Sequence, residues 1–71
     1  MTTPIQGVFA RWAGRQRLFG FIDGDDSNEY FIHSSEFRKH GTKLPEPSDR
    51  LAFTPDHGPK GHFATEPSYV T

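Results

Sequence analysis

The chain has 71 residues and no cysteine. That sets its size at one domain with a modest core and excludes a disulfide framework, a thiolate metal site and a cysteine nucleophile. The formal charge is −1, so no global positive excess draws the chain to polyanions, and a nucleic-acid partner would have to be held by local Lys and Arg.

No apolar run approaches the roughly 20 residues that cross a bilayer. Met1 to Pro4 lacks the basic and apolar regions of a signal peptide. These features predict a cytoplasmic protein with no membrane partner, and the missing cysteines accord with a reducing compartment.

Five strand-like segments are read in chain order. The first is Ile5 to Ala13, with Val8 and Ala10 as core positions. Strict alternation then sends Trp12 inward with them, unless a bulge near Arg11 intervenes. After Gly14 comes the second strand, Leu18 to Asp23, in which Phe19 and Phe21 point one way and Leu18, Gly20 and Ile22 the other.

The break from Gly24 to Asn28 suits a hairpin into the third strand, Glu29 to His33. There Phe31 and His33 share one face, Tyr30 and Ile32 the opposite one. Ser34 to His40 is the best helix candidate, capped by Ser34 or Ser35, ended by Gly41 and expected to make one turn at most. Leu44 to Ser48 reads as a loop, because its prolines cannot donate to a ladder. The fourth strand is Arg50 to Thr54, followed by breakers from Pro55 to Pro59. The fifth is Gly61 to Thr65, resuming near Tyr69 and Val70. Short strands with regular turn signals predict an all-β barrel or sandwich.

Charge is uneven along the chain. Arg11, Arg15 and Arg17 precede the first acid, Asp23. Asp23, Asp25, Asp26 and Glu29 then crowd together, and Arg38, Lys39 and Lys43 follow. A mixed, solvated surface is an equally good account of any one of these charges.

The seven phenylalanines are the more pointed feature. Ile22, Tyr30 and Ile32 make a better interior than a face containing His33. That choice puts Phe19, Phe21, Phe31 and His33 side by side on the other face. Alternation alone leaves two readings open: rings covered by another segment as ordinary core, or an exposed platform. Exposed rings on adjacent strands are what unstacked bases need, at roughly 1–3 kcal/mol per base–aromatic stack.

Phe19-Gly20-Phe21-Ile22, followed after a short turn by Glu29-Tyr30-Phe31-Ile32-His33-Ser34-Ser35-Glu36-Phe37, resembles the signature of the cold-shock domain family. Arg11-Trp12 stands where that family has Lys-Trp. Leu51-Ala52-Phe53 is similar to its fourth strand, and Lys60-Gly61-His62-Phe63-Ala64 to its basic-Gly turn and last strand. The match runs from about Gly7 to Thr65.

The resemblance implies a single domain over residues 1–71, with a core at about 5–66 and a tail at 67–71, folded as a five-stranded antiparallel OB-fold barrel. It implies binding of single-stranded RNA or DNA, often as an RNA chaperone that competes for unpaired bases. It implies that Trp12, Phe19, Phe21, Phe31 and His33 stack on bases and that Arg11 and Lys60 approach the backbone; Arg17 is expected to add to the charge of this surface.

The sequence also departs from the family. Ala13, Ser34 and Thr42 stand where rings are usual, Arg17-Leu18 replaces Lys-Gly, Tyr30 replaces a smaller inward residue, and Pro67 predicts an early end to the last strand. Fewer rings predict a shortened footprint of about three or four nucleotides.

Catalysis is not expected. His33 and Ser34 are strand neighbours facing opposite ways, with no third orienting group. His33, His40, His57 and His62 fit no metal-site spacing. No cofactor or small-molecule substrate is expected, and the chain is expected to be a monomer. The alternative is an OB-fold protein-interaction module with weak or lost nucleic-acid binding, suggested by the near-neutral charge and the missing rings.

Overall fold

The computed structural model describes residues 3–16, 18–39 and 41–70. Arg17 and His40 lie outside the described residues. The elements in order are β1 (Ile5–Ala13), β2 (Phe19–Gly24), β3 (Glu29–His33), α1 (Ser34–Lys39), β4 (Arg50–Gly58) and β5 (Gly61–Tyr69). The strands close into a barrel in the order β1-β2-β3-β5-β4, the OB-fold arrangement. One pairing departs from the antiparallel expectation: β3 meets β5 in parallel, through Phe31 and Phe63.

Ile22, Ile32, Phe37, Leu51, Phe53, Tyr30 and Ala64 fill the barrel with Phe9. The inward choice of Ile22, Tyr30 and Ile32 therefore holds. In β1 the core position is Phe9 rather than Val8 and Ala10, both only half-buried. The β1–β2 register shifts between Phe9 and Arg11, so a bulge at Ala10 does intervene. Its effect is set by Phe9. Phe9 pairs with inward Ile22, and beyond the bulge Arg11 pairs with Phe21 and Trp12 with Gly20. The bulge thus turns Arg11 to the outer face and Trp12 inward, where strict alternation from Phe9 would do the reverse. Gly20 is needed opposite: a Cβ there would sit 2.6 Å from Phe9 Cζ and 2.8 Å from the Arg11 carbonyl oxygen.

Both C-terminal strands are longer than the sequence suggests. β4 continues through Pro55 to Gly58. It pairs with β1 only over Arg50–Phe53, so Pro55 sits where one edge of the strand is free and its missing N–H breaks no ladder. β5 continues through Pro67 to Tyr69. The β4–β5 register shifts between Ala52 and Thr54, with Ala52 opposite Ser68 and Thr54 opposite Thr65. Glu66 and Pro67 thus oppose Phe53 alone. Glu66 takes a left-handed φ of 50°, and this bulge absorbs the proline.

The helix has six residues, more than the single turn expected. Its Glu36 carboxylate accepts the Glu66 N–H at 3.2 Å, tying α1 to that bulge.

Tyr30 anchors the β2–β3 turn. Its ring packs edge-on to Phe53 at 5.0 Å, and its hydroxyl donates to the Asp26 carboxylate. That bond, chiefly, pulls the Asp26 carboxyl below the usual carboxylate range. Burial, aided by the same bond, pushes the Tyr30 phenol up.

Candidate nucleic-acid interface

Phe19, Phe21, Phe31, His33 and Lys60 line one open depression of about 290 Å³. Adjacent strands bring four of them together: Phe19 is opposite His33, and Phe21 opposite Phe31. Lys60 reaches the rim from the β4–β5 turn. Phe19 is 42% exposed, His33 is exposed, and Phe21 and Phe31 are half-buried. All four side chains thus reach the depression rather than the barrel interior. Ligand pockets for small molecules run from roughly 300 to 1,000 Å³ and engulf their contents. A wide, aromatic floor at the lower limit of that range suits a flat group laid on a surface.

The rings are ordered by one another and by charge. Phe19 stands edge-on to Phe21 at 6.0 Å and 78°. Arg11 lies over the Phe21 ring at 4.5 Å and 3.8 Å from the Glu29 carboxylate, so its guanidinium shares the outer face with the rings. His33 Nδ1 accepts the Ser35 backbone N–H at 3.1 Å and sits 2.9 Å from the Ser35 hydroxyl. With Nδ1 accepting, Nε2 is the ring nitrogen left to donate, at the far edge of the ring.

Trp12 does not line the depression. Its indole is half-buried against the core, 4.9 Å from Phe9 and 6.2 Å from Phe37. Its Nε1–H donates to the Pro45 carbonyl at 2.9 Å. The bulge that turns Arg11 outward is what removes Trp12 from that face. Among the positions where rings are usual in the resembled family, Ala13 pairs with Phe19 and so lies on the outer face. Ser34 is only 1% exposed and offers no surface, and Thr42 is half-buried. Sequence reasoning did not single out Glu29 or Phe63, whose ring meets Phe31 at 5.7 Å. The first shares Phe31's face by alternation. The second becomes its neighbour only through the β3–β5 register.

No protein-family model matches the sequence. Individual relatives do. A cold shock protein of Arthrobacter globiformis is 38% identical over 56 residues, covering 78% of this chain and 84% of the relative. The cold shock-like protein CspJ of Salmonella typhi is 32% identical over 65 residues, covering 90% and 91%.

The chain belongs to the cold-shock protein family. A probable cold shock protein A of Mycobacterium tuberculosis, 34% identical over 56 residues, agrees. At positions 13, 34 and 42, where the resemblance leads one to expect rings, the chain carries Ala, Ser and Thr. Among its described residues, no helix is long and apolar enough to cross a membrane.

Proposed function

We propose that the protein binds single-stranded RNA or DNA in the cytoplasm, as a non-enzymatic monomer, by stacking bases on Phe19, Phe21, Phe31 and His33. The observation that carries this reading is the contrast between two sets of aromatic side chains. Phe9, Phe37, Phe53 and Tyr30 are buried, whereas these four rings line an open depression beside a lysine. Holding rings in water costs solubility, and a partner with π-faces offsets that cost.

Arg11 and Lys60 meet backbone phosphates, with Arg17 as a third candidate outside the described residues. A base arriving at Phe21 either displaces the Arg11 guanidinium or stacks upon it. With rings absent at 13, 34 and 42, the footprint is short, about three or four nucleotides. By holding unpaired bases the protein opposes weak secondary structure, the action of an RNA chaperone or of a regulator of transcription or translation.

Titration of a labelled oligothymidine at several salt concentrations tests this. Two or three phosphate contacts predict a slope of log K against log salt of about −1.4 to −2.1 for a single strand. Lys60→Ala should make that slope shallower by about 0.7. No binding at high micromolar protein would instead favour a protein-interaction module.

A further inference from the structure

The outer face carries one ring beyond the four that line the depression. Arg11 pairs with Phe21, Phe21 with Phe31, and Phe31 with Phe63. Cross-strand partners share a face, so a single row runs from β1 through β2 and β3 onto β5. The Phe31 and Phe63 rings are 5.7 Å apart and inclined by 38°, much nearer to parallel than the 78° of Phe19 and Phe21.

We infer that Phe63 is a further base-stacking residue, and that a bound strand leaves the platform over the β4–β5 hairpin rather than toward α1. This rests on the single-strand reading above.

Three observations carry it. Among the described residues, the half-buried apolar side chains packed on the core are Ile5, Trp12, Leu44 and Tyr69; Phe63 meets Phe31 instead and has no such packing role. Gly58, near its ring on the neighbouring strand, has no side chain to cover it, and a Cβ there would lie 3.5 Å from the Phe63 ring. Lys60, in the same hairpin, lines the depression and supplies a cation at this end. The opposite flank is bare, since Ser34 is buried and Ala13 carries no ring. The aromatic area is therefore displaced toward β5.

The test is a fluorescence-anisotropy series with oligothymidines of increasing length, on the natural chain and on Phe63→Leu, with circular dichroism to check folding. Phe63→Leu should fold normally, bind the longer oligomers about fivefold or more weakly, and lose less with the shortest. Binding within about twofold of the natural chain at every length would overturn the inference and leave the four-ring platform standing. Absence of binding by the natural chain would overturn both. Should Phe63→Leu fail to fold, Phe63→Trp in a Trp12→Phe background answers the same question. Quenching of its lone indole by oligothymidine supports the assignment, and unchanged emission on a binding-competent chain overturns it.

Discussion

Phe9→Ala is expected to remove about 3–5 kcal/mol of stability, the usual cost of emptying a buried phenylalanine site. A chain of this length holds roughly 4–10 kcal/mol in all, so the loss takes about a third or more of it and should lower the unfolding temperature by more than about 10 °C. The reason lies in how β1 and β2 meet. Phe9 is fully buried, pairs with Ile22, packs at 4.9 Å on Trp12, and fills the space that Gly20 leaves by having no Cβ. Thermal or urea unfolding followed by circular dichroism measures this. A loss below about 1 kcal/mol would mean that β1 is not packed as described.

Phe31→Ala is expected to weaken binding of single-stranded nucleic acid by about 5- to 150-fold, the equivalent of one base–aromatic stack. Phe31 stands at the centre of the outer row, between Phe21 on β2 and Phe63 on β5. Its side chain is on the face away from the core, so stability should change by no more than about 1 kcal/mol. Trp12→Phe gives the opposite pattern. It gives up the Nε1–H bond to Pro45 and so costs stability, and it should alter affinity less than Phe31→Ala does. Oligothymidine titration of the two variants, beside their unfolding curves, separates the roles. Equal affinity losses would mean that the indole belongs to the interface after all.

Much of this fold was legible in the chain because period-two alternation is strong in two places. β2 and β3 each have one β-branched or tyrosine face and one phenylalanine face, and their inward and outward residues follow from that contrast. β1 was not legible for a definite physical reason. A bulge at Ala10 reverses the faces on its two sides, so Val8 and Ala10 were misread as core although alternation from them still sends Trp12 inward, where it lies; its stacking role came from the family resemblance alone. Pro55 and Pro67 misled about strand ends. A proline interrupts a ladder only where its N–H is needed, and one sits at a free edge, the other in a bulge. Of the candidate site, Phe19, Phe21, Phe31 and His33 were visible from two strands that are neighbours in sequence. Lys60 entered through family resemblance. Phe63 could not be found because the β3–β5 pairing joins residues 32 apart and no local pattern records it.

The central claim is that the outer face of β2 and β3, not the indole of Trp12, holds the ligand. Backbone amide chemical-shift mapping with a short oligothymidine tests it most directly. The largest shifts should fall at Phe19, Phe21, Phe31, His33 and Lys60, with smaller ones at Trp12 and in the loop around Pro45. Shifts concentrated at Trp12 and α1, or no shifts at saturating oligothymidine, would contradict it.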